Sequence, residues 1–187
     1  MESVPKVSEE HLEARRAQIL AGARRAFATY GYDGATVARL EEETGLSRGA
    51  IFHYYAGKKE LFVALAVEMN TRYVDLLVDR GLDDAVRAMA SEDPELIGVL
   101  LEVQGRLRHD KEFVRRMSED AAARDRLVEW FTERQRDGTF RDDVELIHLG
   151  RFATLVLNGL ALRVAGGDET DVEPVIRLLH DALGPRK

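Results

Sequence analysis

The stretch Thr36-Val37-Ala38-Arg39-Leu40-Glu41-Glu42-Glu43-Thr44-Gly45-Leu46-Ser47-Arg48-Gly49-Ala50-Ile51-Phe52-His53-Tyr54-Tyr55 decides how the rest of the chain is read. Thr36 is placed to cap a short helix over 37–44, whose inward residues are Val37 and Leu40, and Gly45 stops it. Ser47 is placed to cap a second short helix over 48–54, in which Ile51 and Tyr55 are spaced to pack on one side. Two short helices joined across Gly45-Leu46-Ser47 form a helix-turn-helix pattern.

Helices extend on both sides of it. Upstream, Leu12, Ile19, Leu20, Ala23, Phe27 and Tyr30 recur at three- and four-residue steps, which predicts a helix over 8–30 capped by Ser8 and followed by a turn over 31–34. Downstream, Leu61, Leu65, Met69, Tyr73 and Leu76 mark a long helix over 58–80, and a short one over 82–90 follows. Asp93-Pro94-Glu95 opens a helix carrying Leu96, Leu100, Val103 and Leu107, because a cap, a proline and an acid suit a first turn. A short segment over 111–117 leads to a helix over 120–136 with Leu127, Trp130 and Phe131 inward. Asp142 or Asp143 then caps a helix running to 165, and Val172, Val175, Ile176, Leu179 and Leu183 mark the last. No segment shows the period-two alternation of a strand, so the fold is expected to be all-α.

The 187 residues suffice for one large domain or two small ones. Hydrophobic residues make up 45% and charged residues 33%, with a mean hydropathy of -0.28, which is globular composition on the polar side. No apolar run reaches the roughly 18 to 20 residues that span a bilayer, and the first residues lack the apolar core of a secretory signal; the cytoplasm is the expected location. The absence of cysteine excludes disulfides, thiolate metal sites, iron-sulfur clusters and cysteine nucleophiles. A net charge of -7 argues against a nucleic-acid partner until its distribution is read. Residues 1–60 hold nine basic and nine acidic groups, and the remainder carries the whole acidic excess.

A helix inserted in a major groove must present polar groups from its first turn, bring its backbone close and bury an apolar back. The segment from Ser47 meets all three demands. Ser47 and Arg48 open it, Gly49 and Ala50 keep bulk off the approaching surface, and Ile51, Phe52 and Tyr55 form the back. His53 and Tyr54 remain in front, while Lys58 and Thr36 are placed for flanking phosphates.

The same residues, followed by Lys58 and Glu60-Leu61-Phe62, resemble the DNA-binding segment of the TetR family of transcriptional regulators. The resemblance covers residues 9–62, and Asp137-Gly138, Asp142-Asp143 and Asn158-Gly159-Leu160 look like that family's final dimerisation region. It implies a three-helix helix-turn-helix domain over 1–60 and a helical bundle over 61–187 for effector binding and dimerisation. It implies positioning contacts to the DNA backbone by Thr36, Ser47, Gly49, Tyr54 and Lys58, with base reading by Arg48 and His53; Arg39 completes the DNA-facing set. For Arg48 the alternative is contact with a phosphate or a nearby acid. The triplet Glu41-Glu42-Glu43 departs from the family pattern, which commonly has a small inward residue where Glu41 stands; a partner such as Arg24 or Arg25 is expected for it. The runs 31–37, 39–42 and 47–53 are similar to actinobacterial aconitase repressors of the family, which implies control of a citrate-cycle gene and citrate with a divalent metal as effector; no cofactor is otherwise expected.

A homodimeric repressor on a palindromic operator, relieved by a small molecule, follows as the expectation. The apolar faces expected to bury each other across a two-fold axis are Phe152, Leu155, Val156 and Leu160 of one helix and Val175, Ile176 and Leu179 of the last. Polar residues on otherwise apolar helices supply the effector candidates: Glu102, Arg106, Trp130, Arg134 and Asn158. No histidine pair has metal-ligand spacing on one helix, and there is no Walker loop or nucleophile elbow, so neither a metal site nor an enzyme is expected. The competing readings are a helical small-molecule carrier or enzyme that retains the helix-turn-helix as a relic, and a DNA-bound structural protein without an effector.

Overall fold

A computed structural model describes residues 9–118, 121–169 and 171–186; the expected Ser8 cap and Asp120 helix start lie outside them. Among the described residues there are ten helices and no strand: α1 Glu9–Gly34, α2 Val37–Thr44, α3 Arg48–Tyr54, α4 Lys58–Arg80, α5 Leu82–Ala90, α6 Pro94–Leu107, α7 Lys111–Ser118, α8 Ala121–Arg136, α9 Leu146–Ala165 and α10 Glu173–Leu183. The division between two compact units falls inside α4, between Ala66 and Val67.

In the first unit Ile19, Phe27, Leu40, Ile51, Leu61 and Phe62 are fully buried. The rings of Phe27, Tyr32 and Phe62 pack on one another at 5.3 to 5.8 Å between centroids, two of the three pairs edge-on as ring quadrupoles prefer. α1 lies so close to α2 that a Cβ on Gly22 would sit 2.5 Å from Thr44 Cγ2 and 2.8 Å from the Glu43 carbonyl oxygen. The predicted end of the first helix near Tyr30 is half right. Gly31 leaves helical geometry at φ 68°, ψ 173°, but a further turn carries α1 to Gly34. A positive φ is open to glycine and strained for other residues, which places the break at that residue.

The second unit packs α6, α5 and α8 against α9, and α10 against α5. Leu96, Val103, Leu149, Leu160, Val164, Ile176, Leu179 and Leu183 fill its interior. The Asp93 cap of α6 forms as expected, its Oδ1 accepting from the amides of Glu95 and Leu96 at 3.0 and 3.5 Å. The expected cap of α9 does not. Asp143 takes the Arg141 guanidinium in a two-point pair at 2.6 and 2.8 Å instead, and α9 begins only at Leu146, after Glu145, which makes no side-chain cap bond. Arg141 itself donates through its backbone amide to the Leu183 carbonyl at 2.8 Å, so this connection is tied to the end of α10 rather than wound into α9.

Candidate nucleic-acid interface

Side-chain caps start both helices of the motif. Thr36 Oγ1 accepts from the Arg39 amide and Ser47 Oγ from the Ala50 amide, each at 3.4 Å. Between them the turn is built on Thr44, the one buried polar residue among those described. Its hydroxyl donates to the Leu40 carbonyl at 2.6 Å and accepts from the Leu46 amide at 3.2 Å, while Gly45, at φ 68°, returns its own amide to the Glu41 carbonyl. From α1, Gln18 Nε2 donates to the Thr44 carbonyl at 2.9 Å, and Arg25 reaches both the carboxylate and the carbonyl of Glu43.

This arrangement corrects the expected pairing of Glu41 with Arg24 or Arg25. Arg25 holds Glu43, at 3.0 Å, and Glu41 turns the other way: its Oε1 accepts from the Arg48 backbone amide at 2.6 Å. The carboxylate thus satisfies an amide that no helical carbonyl can reach.

α3 has the two-faced character the sequence predicts. Ile51 is fully buried, Tyr55 nearly so, and Phe52 half-buried; Ser47, Arg48, Gly49 and His53 are exposed, with Tyr54 half-exposed beside His53, the rings edge-on at 5.3 Å. A Cβ on Gly49 would meet nothing within 4 Å. Two cations of the expected DNA-facing set, Arg39 and Lys58, both turn back toward the end of α1. Arg39 donates to the Gly34 carbonyl at 2.8 Å with its guanidinium 4.2 Å from the Tyr30 ring centroid. Lys58 donates to the carbonyls of Tyr32 and Asp33 at 2.9 and 3.3 Å and lies 4.7 Å from the Tyr32 ring centroid. The eight expected DNA-facing residues therefore lie on α2, α3, their caps and the first turn of α4. Sequence reasoning missed Gln18, Gly22 and Thr44, which hold the motif together; the pairing of a glycine on one helix with a threonine on the next carries no local signal.

The five effector candidates of the second unit are not gathered in one place. Glu102 and Arg106 pair with each other on the exposed side of α6. Trp130 is 4% exposed and packs on Phe131 and Phe140, with the Arg134 guanidinium 4.3 Å from its ring centroid; these two residues share a recess of about 380 Å³ with Arg126, Glu129 and Glu133. Asn158 lines a separate cavity of about 180 Å³ with Asn70, Tyr73, Leu127 and Thr154. A Cβ on Gly98 or Gly105 would meet nothing within 4 Å, so close helix packing does not account for either glycine.

Of the expected dimer face, Leu155 is 71% exposed and Phe152 39%, Val156 and Val175 are half-buried, and Leu160, Ile176 and Leu179 lie in the protomer's own interior. Leu162 and Leu178, each 66% exposed, extend the bare apolar surface of α9 and α10.

The family profile for bacterial regulatory proteins of the tetR family matches residues 19–65, the span of the motif and its supporting helix. The chain is 45% identical over 174 residues to the HTH-type transcriptional repressor Rv1474c of Mycobacterium tuberculosis, covering 89% of this chain and 90% of that protein. This chain belongs to the TetR family. It is also 39% identical over 184 residues to the HTH-type transcriptional repressor AcnR of Corynebacterium diphtheriae, covering 96% and 97% of the two chains. A TetR transcription regulator from Haloarcula marismortui shares the fold at a TM-score of 0.68 and 24% identity, over 90% of this chain and 96% of that one. The protein is thus a TetR-family transcriptional repressor with an all-α fold, and no helix among the described residues is long and apolar enough to cross a membrane.

Proposed function

We propose that this TetR-family repressor binds a palindromic operator as a homodimer through α3, and that a small molecule held in its C-terminal bundle releases it. The observation that carries the reading is the exposed edge Ser47, Arg48, Gly49 and His53 over a back closed by Ile51 and Tyr55. Arg48 and His53 read bases. Thr36, Arg39, Ser47, Gly49, Tyr54 and Lys58 position the backbone, Lys58 through the donor its two carbonyl bonds leave over. The work divides into DNA binding over residues 1–60 and effector binding with dimerisation over 61–187, in the cytoplasm where the operator lies.

Arg48→Ala and Lys58→Ala separate these roles in duplex titrations at several salt concentrations. Lys58→Ala is expected to lower the slope of log affinity against log salt by about one unit across all sequences. Arg48→Ala is expected to flatten preference among operator variants; full selectivity in that variant removes Arg48 from the reading set.

The resemblance to aconitase repressors, supported by identity to AcnR across nearly the whole chain, points to an aconitase gene as the target. Genomic fragments retained by the purified protein are expected to include the region upstream of that gene. Citrate with a divalent metal fits the Asn158 cavity less well than the charged recess that Arg126, Glu129, Glu133 and Arg134 line beside Trp130. The cavity around Asn158 is lined by no charged side chain, and among the described residues no group of three histidines or carboxylates is placed to hold a metal. Thermal shift with citrate, with and without magnesium, tests it: a ligand at about 100 times its dissociation constant adds about 2.7 kcal/mol of stability.

A further inference from the structure

A helix that reads DNA has to hold its first residues at a fixed height and angle over the groove, because a base edge accepts a guanidinium only in a narrow geometry. In this chain the start of α3 is fixed by three acceptors. The Ser47 carbonyl takes the Ile51 amide at 3.0 Å, the Ser47 hydroxyl takes the Ala50 amide at a long 3.4 Å, and the Glu41 carboxylate takes the Arg48 amide at 2.6 Å. The last is the shortest, and only it comes from outside α3 and its cap. Glu41 belongs to α2, which α1 grips through Gln18 on the Thr44 carbonyl and Arg25 on Glu43. A connected set of polar contacts therefore runs from α1 through α2 to the backbone of Arg48, the residue in which the proposed reading places sequence selectivity.

We propose that Glu41 is a specificity-determining positioning residue: its carboxylate anchors the Arg48 backbone so that the guanidinium meets its base in one orientation. The arrangement also explains why an acid stands at a half-buried position beside a DNA-facing surface, where its charge opposes phosphate binding. The opposition is independent of sequence and lowers affinity for every duplex alike. The anchoring acts most strongly on the base contact, whose geometry is the narrowest α3 has to meet, so Glu41 trades general affinity for discrimination.

This inference rests on the proposed use of α3, and the test keeps the two apart. The full-length protein is first used to enrich a duplex from a random-sequence library. Wild type, Glu41→Ala, Glu41→Gln and Arg48→Ala are then titrated with that duplex and with its shuffled counterpart, alongside thermal unfolding. Glu41→Ala is expected to lower the ratio of the two affinities by roughly tenfold, the order of discrimination of a single bidentate base contact. Glu41→Gln retains an acceptor oxygen without the charge; it is expected to bind both duplexes more tightly and to restore most of the ratio. An unchanged ratio in Glu41→Ala, a proportional loss on both duplexes that follows the melting temperature, or a Glu41→Gln ratio as low as that of Glu41→Ala each overturns the inference. Failure of the wild type to enrich any duplex, or an Arg48→Ala ratio equal to wild type, overturns the underlying reading of α3 instead.

Discussion

Two glycines of the first unit, similar in sequence, differ in what surrounds them. At Gly49 an added methyl meets nothing of the protein's own, so alanine there is expected to stabilise the fold by up to about 1 kcal/mol through helix propensity. The same methyl lies on the surface proposed to face DNA, so duplex affinity is expected to fall while the melting temperature holds or rises. Unchanged affinity would mean that no backbone approaches Gly49. At Gly22 the methyl would sit 2.5 to 2.8 Å from atoms of Thr44 and Glu43, two of them backbone, and Gly22→Ala is expected to cost about 1 to 3 kcal/mol in chemical denaturation. The open position of Gly49 was legible in the sequence because it is the second residue of a capped helix with an apolar back. The crowding at Gly22 was not, since it depends on which side of α1 meets the end of α2. Glu41 stands between these cases: its departure from the family pattern was visible, but its partner is a backbone amide, and a backbone amide has no residue type to read.

Helix boundaries followed the sequence wherever a single capping residue had no competitor. Thr36, Ser47 and Asp93 cap as their spacing predicts, whereas Asp143 is drawn away by Arg141 two residues before it, and α9 starts late. Side-chain competition of that kind is decided by how Arg141 is tied to α10, which no local pattern reveals. The contact of α5 with α10 is likewise made by distant charges. Arg87 pairs with Glu173 at 2.8 and 3.1 Å, and His180 meets Asp83 at 2.6 Å. The hydrogen bond from Arg87, aided by the charges of Arg87 and Arg177, holds the Glu173 carboxyl below its ordinary value against a smaller opposing effect of desolvation. A carboxyl with a lowered folded-state pKa contributes stability above its unfolded value and loses it as pH falls through the folded one. Glu173→Gln is therefore expected to melt slightly below wild type at neutral pH. The gap should close on acidification below the usual carboxylate range, about pH 4, and a gap that persists there would assign the effect to packing.

For the whole molecule, the breadth of the apolar face on α9 was legible, but its rotation was not. Leu160, expected at a subunit interface, is folded inward, and Leu155, Leu162 and Leu178 are left bare. Sequence periodicity defines a stripe without saying which edge of it the chain covers for itself. In the proposed dimer these leucines meet their counterparts, and two copies of α3 about 34 Å apart reach successive major grooves. Leu155→Glu with Leu162→Glu is expected to give a folded monomer in analytical ultracentrifugation and to weaken operator binding by 10²-fold or more, on the order of what linking two half-sites gains. A dimer that survives both changes would move the interface elsewhere. If the bare leucines pair as proposed, copy number becomes a physical variable for this repressor. In the proposed assembly the partner supports each protomer only by mass action, so a cell with few copies holds solitary chains that are easier to unfold and to degrade. Scarcity would then deplete the repressor further, and the onset of repression would sharpen with dose.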